Sequence, residues 1–247
     1  MEAGNFKEHL SPSSFVSMLK RCQAAEVYGQ KETTEAMLIG SYVDAYFSGT
    51  LDNLKSGVNS PLIFTQKGEL RSNFKMAEDI IEVIKADDLL YQYVSGGELQ
   101  KHVSGEIAGV KFEGYIDNYV KGKLISDLKI VKSIREKIWN PELGQKESFV
   151  KAYGYIYQLA IYQELIRKET GDLLPCFISA VSKEKGYDKE IIYLPQDELN
   201  IALDEIMQLA PHFLEIRQGK AVALRCENCE YCRKTKKLIE PIHLDDL

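Results

Sequence analysis

The order of apolar and polar positions divides the chain into segments of helical and of strand periodicity. One predicted helix begins at the hydroxyl and proline residues 11–14, and others cover 34–47, 74–90, 147–168 and 196–217. The predicted strands are 98–108, 111–120, 123–131, 175–181 and 190–194, and the turn-rich segment 49–73 is a connection. This order indicates a single α/β or α+β domain over residues 1–247.

The most informative polar side chains lie on the second and third predicted strands. Asp117 and Asp127 flank a Lys-Gly turn, and Lys129 follows Asp127 by two residues. Residues two apart on a strand share a face, so Asp127 and Lys129 point the same way. Two carboxylates can hold a hard divalent cation through oxygen ligands. A lysine beside them can stabilise developing negative charge or lower the pKa of an attacking water.

A shared face for Asp117 and Asp127 puts a condition on the turn between them. A two-residue loop at 121–122 would place Asp127 on the face opposite to Asp117, whereas a three-residue loop or a bulge restores one face. The metal-site interpretation therefore predicts a bulge or a three-residue loop, at 120–122 or 121–123. The alternative is an amphipathic hairpin whose polar residues face water.

The arrangement Asp117…Asp127-x-Lys129 resembles the signature of the PD-(D/E)XK nuclease superfamily. It is most similar to the phage and prophage exonuclease branch, with its RecE-like (exonuclease VIII-like), lambda-exonuclease-like and RecB-like domains. The resemblance extends over nearly the whole chain. It implies a restriction-endonuclease-like αβββαβ core, in which helices flank a mixed sheet, with extra N-terminal helices. It also implies that Asp117, Asp127 and the Leu128 carbonyl bind Mg²⁺ or Mn²⁺, and that Lys129 positions or activates the attacking water.

Other positions match further motifs of the same nucleases. Gln158 and Tyr162 lie four apart on one helix face and match the QxxxY motif, which in the related enzymes supports the site and the substrate strand. Gly40 to Asp44 resembles the GxxxH motif, with Asp44 replacing the metal-binding histidine, and aspartate is a good ligand for a hard cation. Glu106, on the first predicted strand, is a candidate for a further acid near the metals. The alternative for Asp44 and Glu106 is an ordinary solvated carboxylate.

The chain has five cysteines, and three of them form a tight Cys-x2-Cys-x2-Cys cluster near its end. In a reducing compartment this pattern favours metal ligation over disulfides, and iron–sulfur and zinc sites usually take four ligands. The arrangement of one early and three late cysteines resembles the iron–sulfur site of RecB-like nuclease domains. The resemblance implies a [4Fe-4S] cluster that joins the termini, with zinc, or a site of three cysteines, as alternatives. Its ligands would be Cys22, Cys226, Cys229 and Cys232.

Composition limits the kind of nucleic-acid contact that the chain can make. The formal net charge of −6 argues against a protein that holds DNA by bulk charge. Contacts with DNA must come from local patches or from metal ions that bridge phosphate and carboxylate. No apolar run approaches the ~20 residues of a membrane helix, and the N-terminus has no signal-peptide core. We therefore expect a cytoplasmic protein without a membrane partner.

The resemblance implies a divalent-metal-dependent DNA exonuclease. Phage-type relatives act in recombination, where they resect double-stranded ends and leave a single strand for an annealing protein. Related exonucleases form rings, so a homo-oligomer is a further expectation. The alternatives are a DNA-binding or assembly module of the same fold that has lost turnover, an endonuclease, and an RNA-directed enzyme.

Overall fold

The structure, a computed structural model, describes residues 8–30, 33–141 and 143–246. The polar segment 1–7, part of the N-terminus expected to lack a signal peptide, lies outside the described residues. The strands are β1 (Glu98–Ile107), β2 (Val110–Val120), β3 (Leu124–Val131), β4 (Ile138–Asn140), β5 (Gln145–Glu147), β6 (Cys176–Ser182) and β7 (Lys189–Leu194).

Five of these strands form one mixed sheet in the order β1-β2-β3-β6-β7. The pairs β1–β2, β2–β3 and β6–β7 are antiparallel, whereas β3 and β6 are parallel. A parallel pair needs a crossover connection, and here the helices that follow β5 supply it. β4 and β5 pair with each other in a separate two-stranded hairpin.

Helices cover both faces of the sheet. They are α1 (Pro12–Lys20), α2 (Gln23–Tyr28), α3 (Glu35–Phe47), α4 (Leu51–Ser56), α5 (Ser60–Ile63), α6 (Lys75–Lys85), α7 (Asp88–Ser95), α8 (Phe149–Ala152), α9 (Tyr155–Thr170), α10 (Gln196–Arg217) and α11 (Glu230–Lys234). Two 3-10 turns lie at Ser72–Phe74 and Leu244–Asp246. Residues of α1, α9 and α10 form one buried core with the sheet, and residues of α3, α6 and α7 form another. This architecture confirms the predicted mixed sheet flanked by helices.

Local capping chemistry explains some of the helix boundaries. Ser11 caps α1 in a capping box with Ser14, as the hydroxyl-rich start predicted. The predicted helix 74–90 is divided into α6 and α7, because the side chain of Asp87 accepts a hydrogen bond from the backbone N–H of Leu90 and starts a new helix. The predicted helix 147–168 is likewise divided into α8 and α9, next to Gly154 with φ +71°.

Several short features differ from the sequence-based prediction, among them the helices α2 and α11, which it does not include. The connection 49–73 contains the helices α4 and α5, which were not predicted. The hairpin of β4 and β5 was not predicted either, because three-residue strands are too short to show alternation. None of these differences alters the order of the sheet strands or the position of the polar residues on β2 and β3.

Candidate active site

The loop between β2 and β3 sets the register of the two aspartates. Val120 pairs with Leu124, which leaves Lys121-Gly122-Lys123 as a three-residue loop, one of the forms predicted above. Gly122 has φ +67°, a conformation that glycine adopts without steric cost. The register Asn118↔Ser126 therefore brings Asp117 opposite Asp127.

The backbone pairing of β2 with β3 ends at Asn118 and Ser126. Beyond this point the Asp117 side chain, and not the backbone of β2, makes the hydrogen bond to β3. Its Oδ2 accepts a hydrogen bond from the backbone N–H of Leu128 at 2.9 Å. In a strand, the N–H and C=O of one residue lie on the same edge, so the Leu128 carbonyl also lies on the edge next to Asp117. This placement leaves the carbonyl near the carboxylate as a potential oxygen ligand.

A third acid reaches the site from the N-terminal helices. Asp44, on α3, is half-buried, and its Oδ1 accepts a hydrogen bond from Gln100 Nε2 at 3.1 Å. The same nitrogen lies 3.4 Å from Asp117 Oδ1. Gln100 was not predicted as a site residue, yet it brings carboxylates from α3 and β2 to one point.

Asp127 and Lys129 form an ion pair on β3. Asp127 is 1% exposed, and its Oδ2 contacts the Lys129 ammonium without making a hydrogen bond of acceptable geometry to any described residue. Its Oδ1 accepts a hydrogen bond from Gln158 Nε2 at 3.0 Å. The Lys129 ammonium also lies 4.9 Å from the centroid of the Tyr155 ring, within the range of a cation–π contact.

Three of the polar side chains come from one face of α9. Gln158 lies between Asp127 and Tyr162, whose hydroxyl oxygen is 3.4 Å from Gln158 Nε2. Burial raises the pKa of Tyr162, and the charge of Asp127 raises it further, so the phenol stays neutral. Tyr155 precedes Gln158 by one turn. Its spacing was a signal available in the sequence, although only Gln158 and Tyr162 were predicted.

The electrostatics of the site are dominated by an excess of acid. Burial raises the pKa of Asp117 well above its usual value, and the charges of Asp127 and Asp44 raise it further. Burial and Asp127 also raise the pKa of Asp44. For Lys129, burial acts to lower the pKa, but the attraction of Asp127 and Asp117 outweighs it and the pKa is raised. Three carboxylates thus share one ammonium, a donor set that fits a hard divalent cation.

Glu106 does not join this group. It is exposed near the far end of β1, where it pairs with Lys111. Gln100 lies six residues earlier on the same strand, roughly 20 Å away at the rise of an extended chain. The structure therefore separates Glu106 from Asp44, Asp117 and Asp127, because Glu106 lies near the opposite end of β1 from Gln100.

The four cysteines predicted to bind a metal lie together. The sulfurs of Cys22, Cys226, Cys229 and Cys232 are all within 4.8 Å of one another. Three backbone N–H groups of the cluster donate to sulfur, at 3.3 to 3.4 Å. Hydrogen bonds from the N–H groups of Asn228 and Cys229 lower the pKa of Cys226 to about 6, which favours the thiolate that metals bind. The arrangement can hold a metal between an early and a late segment of the chain.

Comparisons with known proteins agree with this geometry. A solved structure from Eubacterium rectale, described as a "putative exonuclease", matches with a TM-score of 0.87 and 35% identity, over 100% of this chain and 97% of that chain. A second solved structure, described as SSO0001, is much less similar, with a TM-score of 0.37 and 13% identity over 85% of this chain and 79% of that chain. No curated protein matches the sequence. Among the described helices, none combines the length and the apolar character needed to cross a bilayer.

The mixed sheet, the opposed aspartates and the adjacent lysine define a protein of the PD-(D/E)XK nuclease superfamily, as the sequence resemblance predicted. A family model described as "PDDEXK-like domain of unknown function (DUF3799)" matches residues 11–235. The chain belongs to this family. Family and structural neighbour together support a nuclease.

Proposed function

We propose that this protein is a divalent-metal-dependent exonuclease that hydrolyses phosphodiester bonds at the ends of double-stranded DNA. The observation that carries the proposal is the position of Asp117 opposite Asp127, with Lys129 in contact with Asp127. The phosphate backbone of DNA is polyanionic, and a protein of net charge −6 needs a cation to bring it against carboxylates.

The side chains have distinct tasks in this proposal. Asp44, Asp117, Asp127 and the Leu128 carbonyl would hold Mg²⁺ or Mn²⁺. When bound, such an ion offsets the charge that develops on the scissile phosphate and lowers the pKa of water. Lys129 orients the attacking water and stabilises the negative charge that develops on the phosphate. Because Gln158 donates to Asp127 Oδ1, it fixes the direction in which that carboxylate presents its other oxygen.

Digestion of linear duplex DNA in the presence of Mg²⁺ tests the proposal. The wild-type protein should degrade the duplex, and Lys129→Ala should remove activity while the circular dichroism spectrum stays that of the wild type. Lys132→Ala is a matched control, because Lys132 is exposed and paired with Glu136. It should retain activity. Activity that persists in Lys129→Ala would refute the assigned role of this lysine.

The choice of substrate separates the proposal from its alternatives. An exonuclease digests linear duplex and spares covalently closed circles, whereas an endonuclease cuts both. A protein that binds duplex ends but never cuts them is the DNA-binding module, and one that digests only RNA is the RNA-directed enzyme. For the expected recombination role, single-stranded tails must remain after limited digestion and must bind an annealing protein. Analytical ultracentrifugation measures the expected homo-oligomer.

The cysteine cluster has a structural role in this proposal. We propose that Cys22 and the 226–232 segment bind one metal ion, so that residues 1–247 act as one nuclease domain in the reducing cytoplasm. A single zinc ion with Zn–S distances of about 2.3 Å holds its four sulfurs about 3.8 Å apart. The four sulfurs lie within 4.8 Å of one another, which fits one such ion, and the [4Fe-4S] cluster that the sequence resemblance implies is the alternative.

Metal analysis of anaerobically purified protein decides between the two. One zinc per chain and no visible absorbance support the single ion, whereas iron, sulfide and a broad visible band support the cluster. Cys22→Ser should lower the metal content and the melting temperature together, because metal binding is coupled to folding. Cys176→Ala is the matched control, since Cys176 is buried in the sheet core and is not one of the four clustered cysteines. It should leave the metal content unchanged.

A further inference from the structure

Gln100 is placed between two of the acids in a way that the superfamily motifs do not include. Its single amide nitrogen lies 3.1 Å from Asp44 Oδ1 and 3.4 Å from Asp117 Oδ1. Asp44 comes from α3 and Asp117 from β2, so the amide joins two separate elements of the fold. Among the described residues, Gln100 is the side chain that donates a hydrogen bond to the Asp44 carboxylate.

The backbone at Gln100 is unusual for this residue type. Its φ is +50°, in the left-handed region where residues other than glycine, asparagine and aspartate are uncommon. Leu99 pairs with Asn118 and Lys101 with Ile116, yet Gln100 itself is missing from the ladder, opposite Asp117. Strained backbone of this kind persists where the surrounding structure holds it, and it is concentrated at functional sites.

The Gln100 amide joins two carboxylates without adding a charge to the site. Asp127 has the Lys129 ammonium and Gln158, and Asp117 has the backbone N–H of Leu128. Asp44 approaches these carboxylates without a cation of its own, and like charges at short range repel. Because an amide carries two N–H donors and no charge, it can hold two carboxylates together without opposing the entry of a cation.

We infer that Gln100 is a positioning residue, which holds Asp44 against Asp117 so that the acids are arranged for a divalent cation before it binds. The inference rests on the proposed function, because it takes these acids as the metal ligands. Gln100 acts through the carboxylates, and its loss therefore weakens metal binding more than the maximal rate. Preorganisation of this kind raises affinity by removing the cost of ordering the ligands on binding.

Calorimetric titration of the metal-free protein with Mn²⁺ tests the inference. Gln100→Met keeps the length and the backbone strain but removes both donors, and it should weaken Mn²⁺ binding about tenfold, the order expected for a lost hydrogen bond to a charged group. Gln100→Gly removes the amide and relieves the strain, so it should weaken binding similarly without loss of thermal stability. If Gln100→Met does not fold, Gln100→Gly decides. Gln208→Met, at an exposed position on α10, is the matched control with unchanged affinity.

A second readout distinguishes positioning from a general structural effect. In DNA digestion, the Mn²⁺ concentration for half-maximal activity should rise by the same factor, with the rate at saturating Mn²⁺ close to that of the wild type. Affinities of both Gln100 variants within twofold of the wild type would overturn the inference, and so would a wild type that binds no Mn²⁺. A wild type that binds Mn²⁺ tightly but never cleaves DNA would overturn the proposed function alone.

Discussion

The Lys129 ammonium should stabilise the folded protein mainly by compensating buried acid. Asp127 is 1% exposed and has Lys129 against one oxygen, with Asp117 and Asp44 close by. In Lys129→Met the side chain keeps much of its volume but loses the charge. Asp117, whose pKa burial already raises and the Lys129 charge lowers, is then left either as an uncompensated buried carboxylate or as a neutral acid that has taken up a proton.

Proton uptake sets an upper limit on the cost of the substitution. A carboxyl group with an unfolded pKa of about 3.9 is neutralised at pH 7 at a cost of about 4 kcal/mol, and at pH 5 at a cost of about 1.5 kcal/mol. Loss of one partner of a buried ion pair costs about 3–5 kcal/mol, in the same range. For a chain of this size about 1 kcal/mol corresponds to about 2–4 °C in melting temperature. We therefore expect a loss of up to about 8–16 °C at pH 7 and about 3–6 °C at pH 5.

The sign of the pH dependence follows from proton linkage. Between pH 4 and pH 7 the folded variant holds a proton that the unfolded chain releases, so the stability of the variant relative to wild type falls as the pH rises. Differential scanning calorimetry of the metal-free proteins at pH 5 and pH 7 measures this difference, with Lys132→Met as the exposed control. An equal loss at both pH values would refute the idea that Lys129 compensates a buried carboxylate.

Three other substitutions test separate parts of the site. Asp117→Asn should abolish digestion. It should also raise the melting temperature of the metal-free protein at pH 7 but not at pH 4, because the raised pKa of Asp117 shows that the fold disfavours its ionised form. Tyr155→Leu should lower stability by about 0.5–2 kcal/mol through the lost cation–π contact, whereas Tyr155→Phe should retain it; chemical denaturation measures both. Gly122→Ala should cost about 1 kcal/mol by the same measurement, with activity unchanged, because φ is +67° but, among the described residues beyond its two chain neighbours, no atom lies within 4 Å of the added methyl group.

Elements that depend on local periodicity were predicted closely from the sequence. α10 occupies the predicted 196–217, and the central strands differ from the predicted bounds by one residue or less at most ends. The division of the helix predicted at 74–90 was not foreseen, because an aspartate at position 87 is equally compatible with a helix surface and with an N-cap. Only its hydrogen bond to the N–H of Leu90 decides between the two.

The candidate site was predictable where its residues are neighbours on one element. Strand alternation placed Lys129 beside Asp127, and helix spacing placed Gln158 beside Tyr162. The contribution of Gln100 was not predictable in this way. It depends on the approach of α3 to β1 and on a positive φ at a residue type that rarely adopts one.

The point where β2 and β3 stop pairing explains why a buried acid belongs to the hydrogen bonding of the sheet as well as to the candidate active site. Where the strands stop pairing, the Leu128 N–H would be left without its backbone acceptor, and a buried unpaired donor costs about 1–3 kcal/mol. Asp117 Oδ2 replaces that acceptor at 2.9 Å, so the carboxylate completes the hydrogen bonding of β3 while its other oxygen stays next to Gln100. The hydrogen bonding of β3 therefore needs a buried acceptor at Asp117, where β2 and β3 separate, although burying an acid there is unfavourable. For this reason asparagine, which preserves the acceptor and removes only the charge, is the informative replacement at this position.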